Sequence, residues 1–159
     1  MPVYLAAYGT LRTGQSNGVS PAVLARLQSR GPCLIPGRLY LVHDGPDAYP
    51  GLVPSANSTD RVVGELFEIS ESGAKAKEVL RQLDVYEDCH PSDAARSMYE
   101  RCRIVVHPVA GSPVRAWVYL YTRTIEGMTL IGSGDWVDAS SMGAKARPLD
   151  GEFQPGVGR

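Results

Sequence analysis

Residues 3–12, VYLAAYGTLR, form a short apolar run that leads into a glycine. This pattern predicts a buried strand that ends in a tight turn. Because glycine adopts backbone dihedrals that are closed to other residues, successive amides of the turn can point one way and bind a carboxylate or an oxyanion. An ordinary strand-to-loop turn is the commoner alternative for so short a stretch. The candidate binding residues here are Tyr8, Gly9, Thr10, Leu11 and Arg12.

A second candidate lies at the end of the clearest predicted helix, residues 72–84. Its apolar residues follow at i, i+3, i+4 and i+7 and form one stripe. If the helical phase persists, Glu87 shares the face of Leu80 and Leu83 and points inward. Burial raises the pKa of a carboxylate toward neutrality, which suits a group that accepts and donates a proton. The alternative is a frayed helix end with a solvated Glu87.

The other segments predict strands more often than helices. Strands are expected at residues 32–41 and Arg61–Ile69, and a hairpin joins residues 102–106 to Val114–Tyr121. A short helix over about 20–29 follows from Ser20-Pro21 and the apolar residues behind it. Residues 45–54, with repeated Gly and Pro, are expected to be mostly loop. Five strands and two helices imply an α+β fold, a mixed sheet or small barrel with flanking helices.

The totals are those of one globular domain. The 159 residues are 43% hydrophobic and 21% charged, which predicts a packed core. A net charge of -1 excludes a general attraction to nucleic acid or an anionic membrane. We expect a domain over residues 1–142 and a loosely ordered tail over 143–159, which is poor in aliphatic residues. Without a signal-peptide pattern or an 18-residue apolar stretch, the expected location is cytoplasmic.

The cysteines and histidines give no strong sign of a reactive or metal-binding site. Three widely spaced cysteines fit neither a disulfide framework nor a zinc ribbon, so reduced thiols are expected. Cys89-His90 suggests a thiolate and imidazole pair, but adjacency in sequence is little evidence for a pair that must meet by folding. Three scattered histidines predict no metal site.

Several short segments together resemble the gamma-glutamylcyclotransferase-like (AIG2-like) family. They occur in that family's order and cover residues 3 to 136. The segments are Tyr8 to Arg12 with Gly14 and Asn17, Tyr49-Pro50-Gly51-Leu52-Val53, Gly64-Glu65-Leu66-Phe67, Leu83-Asp84 with Glu87, Tyr99 with Arg101, Ala116-Trp117-Val118-Tyr119, and Ser133-Gly134-Asp135-Trp136.

The resemblance implies a fold, a pocket and a reaction. The fold is a small mixed β-barrel with flanking helices, and the pocket lies between the Tyr8 to Leu11 turn and Glu87. Members release 5-oxoproline from gamma-glutamyl amines or dipeptides, without a cofactor. The substrate's own amino group attacks its side-chain carbonyl, and the glutamate, here Glu87, moves the proton.

Two further segments are candidates for the pocket wall. Tyr49, Pro50 and Gly51 offer an aromatic wall on a rigid turn. Tyr99 and Arg101 open the strand after the helix and are placed to reach back over the pocket. The commoner alternatives without a binding role are a packed aromatic ring for the tyrosines and a surface cation for Arg101.

The sequence departs from the family after Glu87. The family has Gly there and a short connection, whereas this chain has Asp88 and a longer run to residue 98, which we expect to border the pocket. Substrate identity is therefore less fixed than reaction type. The alternatives are a non-catalytic small-molecule binding or regulatory module that uses the same pocket, and an amide hydrolase or acyl transferase acting on another acyl group.

Overall fold

The computed structural model describes residues 2–15 and 17–138. The tail expected over residues 143–159 lies outside the described residues. In chain order the elements are β1 (Val3–Ala7), α1 (Pro21–Leu24), β2 (Leu27–Pro36), β3 (Arg38–Asp44), β4 (Asp47–Val53), β5 (Arg61–Ile69), α2 (Ala74–Tyr86), a 3-10 turn (Ala94–Arg96), β6 (Tyr99–Pro108), β7 (Val114–Tyr121) and β8 (Thr129–Leu130).

Five of the strands close into a barrel in the order β1-β5-β2-β6-β7. The neighbours within this order are antiparallel, whereas β1 and β7 close the barrel as a parallel pair, with Leu5 opposite Trp117. Closure leaves the barrel without an open edge strand. The predicted α+β fold with a small mixed barrel is confirmed.

The other three strands form a second sheet in the order β4-β3-β8. Tyr8, just after β1, ties this sheet to the barrel. Its hydroxyl donates to the Tyr119 carbonyl of β7 at 2.6 Å and accepts from the Leu52 amide of β4 at 3.2 Å. A buried phenol with two backbone partners therefore joins three strands.

Three expectations about the first half of the chain are wrong. The helix over 20–29 is only the single turn α1, because Leu27 already begins β2. The strand over 32–41 is two strands, which meet at Gly37 with a φ of +141°. The loop over 45–54 contains β4. With β8, which was not expected either, the described residues hold eight strands instead of five. The prolines misled the prediction: Pro50 is tolerated because β4 lies at the edge of its sheet.

The core extends on both sides of the barrel wall. One cluster packs the apolar stripe of α2 (Ala76, Val79, Leu80 and Leu83) against Leu5 and its neighbours. The other fills the space between the barrel and the second sheet, around Leu39, Leu52, Val62, Leu66 and Val118. Helix α2 is therefore fixed by its apolar face, as its spacing predicts.

Gly64 marks a close approach of two backbones, as its place inside β5 suggests. A Cβ at this position would lie 2.8 Å from the Ala7 carbonyl oxygen and 2.7 Å from Cδ1 of Ile35. The Ile35 side chain can move, but the Ala7 backbone belongs to β1, which is paired with β5. Only glycine fits here without a shift of the barrel wall.

We predict that Gly64→Ala lowers the free energy of unfolding by about 1–3 kcal/mol, the usual cost of overpacking. Urea denaturation followed by circular dichroism measures it. Gly132→Ala is the matched control, because nothing lies within 4 Å of a Cβ there. Equal stability of the two variants would contradict the close approach.

Candidate active site

Helix α2 ends in a way that holds Glu87 inward. The Glu87 amide donates to the Leu83 carbonyl at 2.9 Å, so the helical phase persists to this residue. The side chain is buried, with 6% of the residue exposed. The predicted inward carboxylate is therefore present, and the frayed, solvated alternative is wrong.

Asp88 terminates the helix in the left-handed conformation, with a φ of 54°. Its amide donates to the Val85 carbonyl at 3.3 Å and the next amide, of Cys89, donates to the Asp84 carbonyl at 2.9 Å. This is the Schellman arrangement, which usually has glycine at the left-handed position. The Asp88 carboxylate, a third exposed, contacts Nε2 of His90 at 2.7 Å. It does not lie beside Glu87 in the interior.

The turn after β1 is anchored along its length. The Arg12 amide donates to the Gly9 carbonyl at 3.1 Å, and the Asn17 side-chain amide donates to the Thr10 carbonyl at 3.1 Å. The Thr13 amide and hydroxyl both donate to the Glu65 carboxylate, at 2.7 and 2.6 Å. Gly9, Thr10 and Leu11 lie within this anchored turn. Their backbone amides are therefore held in fixed positions.

A buried hydrogen bond joins this turn to the end of α2. Oγ1 of Thr10 and the phenol oxygen of Tyr86 are 2.8 Å apart, and both residues are buried. Tyr86 precedes Glu87 in the chain, so this contact places the carboxylate next to the turn. The Thr10 hydroxyl thus has a structural partner.

Glu87 and the turn line one cleft. Its enclosed cavity is narrow, about 20 Å³, which is room for about one water molecule. No Lys, Arg or His is among the residues that line it in the described part of the chain. The lining residues are Leu5, Ala6, Ala7, Tyr8, Gly9, Thr10, Leu11, Pro50, Glu87 and Tyr119.

Two buried phenols near Glu87 remain protonated. Burial raises the pKa of Tyr8 well above its ordinary value, and the charge of Glu87 raises it further. Burial also raises the pKa of Tyr119, to which Asp84 adds through its charge and a hydrogen bond, and Glu87 adds through its charge. Both hydroxyls are therefore neutral hydrogen-bonding groups near the Glu87 carboxylate.

The described cysteines are free thiols, as predicted. Burial raises the pKa of Cys33 to about 12 and raises the pKa of Cys89 and Cys102 as well. Thiolates are therefore disfavoured, and the Cys89-His90 hypothesis gains no support. In the described ranges no three His, Cys, Asp or Glu side chains are grouped to hold a metal ion.

Five predicted site residues lie outside the cleft lining. Arg12 pairs with Asp135 at 2.9 Å, and Tyr99 donates its hydroxyl to the Pro50 carbonyl at 2.6 Å. Arg101 pairs with Asp84, at 2.7 and 3.1 Å. The other two are Tyr49, which is fully buried, and Gly51, whose position would bring a Cβ within 2.8 Å of Val42.

Two residues of the site were missed from sequence. Tyr119 lines the cleft from β7, and Asp84 accepts the Tyr119 hydroxyl at 2.7 Å. A signal for Asp84 was available, because it lies four residues after Leu80 and three before Glu87, on the same face of α2. The signal for Tyr119 was its place in the family segment Ala116-Trp117-Val118-Tyr119, because spacing on β7 does not separate it from the neighbouring aromatic residues.

The sequence model of the family described as gamma-glutamyl cyclotransferase, AIG2-like, matches residues 5–138. The chain belongs to this family. A relative, the gamma-glutamylcyclotransferase family protein ytfP of Citrobacter rodentium, is 32% identical over 133 residues, which is 82% of this chain and 92% of the relative. Family membership supports a cyclotransferase activity in general.

Solved structures agree with the family. An AIG2-like protein from Mus musculus superposes with a TM-score of 0.59 at 29% identity, over 79% of this chain and 81% of that one. YkqA from Bacillus subtilis superposes with a TM-score of 0.61 at 22% identity, over 91% of this chain, and shows the fold alone. The match covers 43% of that protein, which is longer. Among the described residues no helix has the length and apolar character needed to cross a membrane.

The connection after Glu87, in which this chain departs from the family pattern, does not line the cleft of Glu87. The expectation that it borders this pocket is wrong. It lines a separate, wider cavity of about 580 Å³ instead, together with the residues that follow β7. The Schellman turn at Asp88 explains this course, because it directs the chain away from the helix axis.

We predict that Asp88→Gly is more stable than Asp88→Ala by about 1 kcal/mol, because only alanine has a Cβ in the left-handed conformation. Both variants lose the contact with His90, so the difference isolates the backbone cost. Urea denaturation of the two proteins measures it. Equal stabilities would show that residue 88 leaves the left-handed region in solution.

Proposed function

We propose that the protein releases 5-oxoproline from a gamma-glutamyl amine or a related gamma-glutamyl conjugate, with Glu87 as the proton shuttle. One observation carries the proposal: a buried carboxylate shares a cleft with the turn of Gly9, Thr10 and Leu11. Family membership supports the reaction class. No cofactor takes part in the proposed reaction.

The reaction joins two atoms of one substrate molecule. The α-amino nitrogen attacks the side-chain amide carbon, which becomes tetrahedral with a negative oxygen. The new bond closes a five-membered ring, and the bond to the leaving nitrogen then breaks. Both reactants are held in one molecule, so the loss of translational and rotational entropy is largely avoided, an advantage of up to roughly 7–11 kcal/mol.

Glu87 transfers one proton in two steps. As a carboxylate it accepts the proton that the attacking nitrogen loses, and as a carboxylic acid it donates this proton to the leaving nitrogen. General base and acid catalysis of this kind contributes about 10² to 10⁴ in rate. Burial in the cleft keeps bulk water from competing for the proton.

The turn after β1 supplies the hydrogen bonds to a negatively charged oxygen of the substrate. The cleft wall has no cationic side chain, and Arg12 is engaged by Asp135. The amides of Gly9, Thr10 and Leu11 are thus the donors for an anionic oxygen, either the α-carboxylate or the developing oxyanion. Tyr8 and Pro50 complete the proposed substrate wall. Four residues outside the cleft lining support this wall: Tyr49, Gly51, Tyr99 and Arg101.

The narrow cavity sets a condition on binding. A gamma-glutamyl group is much larger than a space of about 20 Å³. Substrate therefore enters only when the walls move apart, or it lies across the mouth with its reacting atoms inward. The leaving amine points outward in either case, since the interior has no room for it.

We predict that the wild-type protein forms 5-oxoproline from a panel of gamma-glutamyl amines and dipeptides, and that Glu87→Gln lowers kcat by at least about 10² while the fold is kept. Mass spectrometry of the products and circular dichroism measure the two properties. Glu126→Gln, at an exposed carboxylate, is the matched control and keeps full activity.

Three outcomes would overturn the proposal in different ways. Normal turnover by Glu87→Gln would remove Glu87 from the mechanism. A linear glutamate product would indicate an amide hydrolase, because water would have replaced the internal amine. Saturable binding of the panel without any product would indicate a binding or regulatory module.

A further inference from the structure

A second buried carboxylate lies one helical turn before Glu87. Asp84 is 4% exposed, and its oxygens accept three hydrogen bonds. Arg101 donates from Nε at 2.7 Å and from a terminal nitrogen at 3.1 Å, and Tyr119 donates its hydroxyl at 2.7 Å. The mechanism of the previous subsection uses none of these groups.

Arg101 pairs with this carboxylate inside the protein. The guanidinium forms a two-pronged pair with Asp84, and it lies 4.4 Å from the ring centre of Trp117. A buried charge is tolerated when it is paired and hydrogen-bonded in this way. The aromatic ring holds the cation by a further electrostatic attraction.

The bond between Asp84 and Tyr119 has one direction, in which the Tyr119 hydroxyl donates to Oδ1 of Asp84. An ionised carboxylate has no proton and only accepts. The shared hydrogen therefore belongs to the Tyr119 hydroxyl and points at Asp84, away from other partners. This bond does not use the two lone pairs of the phenol oxygen, and Tyr119 lines the cleft with Glu87.

We propose that Asp84 is a positioning residue that fixes the Tyr119 hydroxyl as a hydrogen-bond acceptor for the amino group of the substrate. This inference rests on the proposed function. The attacking amine has two N–H bonds and one lone pair. When Glu87 accepts a hydrogen bond from one N–H and the Tyr119 oxygen accepts one from the other, the lone pair of the nitrogen faces the carbonyl carbon. The substrate class that fits is one with a free α-amino group.

A double-mutant cycle tests whether Asp84 acts through Tyr119. Tyr119→Phe and Asp84→Asn are each expected to lower kcat about tenfold, the worth of one hydrogen bond, with a smaller change in KM. In the Tyr119→Phe background, Asp84→Asn should then change kcat by less than about twofold, because the group it orients is gone. Losses that multiply would show that Asp84 does not act through Tyr119, which overturns the proposal.

The matched control is Glu78→Gln, a surface acid on the same helix that pairs with Arg81. It should leave kcat and KM unchanged. If Asp84→Asn does not fold because Arg101 is left without its carboxylate, Asp84→Asn combined with Arg101→Gln removes both charges and takes its place in the cycle. The same absence of a further loss in the Tyr119→Phe background is expected.

A measurement without turnover separates this inference from the proposed function. In protein labelled with ¹³Cζ-tyrosine, the resonance that Tyr119→Phe removes belongs to Tyr119. Asp84→Asn should shift this resonance, whereas Glu78→Gln should leave it in place. An unshifted resonance overturns the proposed role of Asp84. If Asp84→Asn shifts the resonance but the wild-type protein forms no 5-oxoproline, the proposed function is overturned instead.

Discussion

The parallel pairing of β1 with β7 closes the barrel, and the position of the cleft depends on this closure. The first strand is held between β5 and β7. The turn that follows it contacts the end of helix α2 through the hydrogen bond between Thr10 and Tyr86. The same closure places Tyr119 of β7 beside that turn. An open sheet would leave the turn, the helix and Tyr119 without a fixed relation to one another.

Buried tyrosines make the site rigid, because their hydrogen bonds join the elements around it. Each of four phenols bonds across a long sequence separation: Tyr8 to Tyr119 and Leu52, Tyr86 to Thr10, Tyr99 to Pro50, and Tyr119 to Asp84. A buried hydroxyl without a partner is costly, so each bond fixes the element that provides its acceptor or donor. In the proposed reaction, preorganised walls of this kind let the carboxylate and the backbone amides act without rearranging.

Two carboxylates on one face of α2 have different environments. Asp84 is held by a guanidinium and a phenol, which stabilise its charge. Glu87 lines the cleft, where no cationic side chain of the described residues contributes to the wall. Placing neighbouring acids in different environments is a general way to give them separate roles. The helix period brings both inward, and their partners from other elements make them different.

The sequence by itself determined what depends on local pattern. The period of α2 predicted that Glu87 faces inward, and the run into Gly9 predicted a strand and its turn, because both signals lie within a few residues. Only the tertiary structure decided that β4 is a strand, that the connection after Asp88 leaves the cleft, and that Tyr119 and Asp84 meet. These features depend on strand pairing and on contacts between residues far apart in the chain, and no local spacing encodes them.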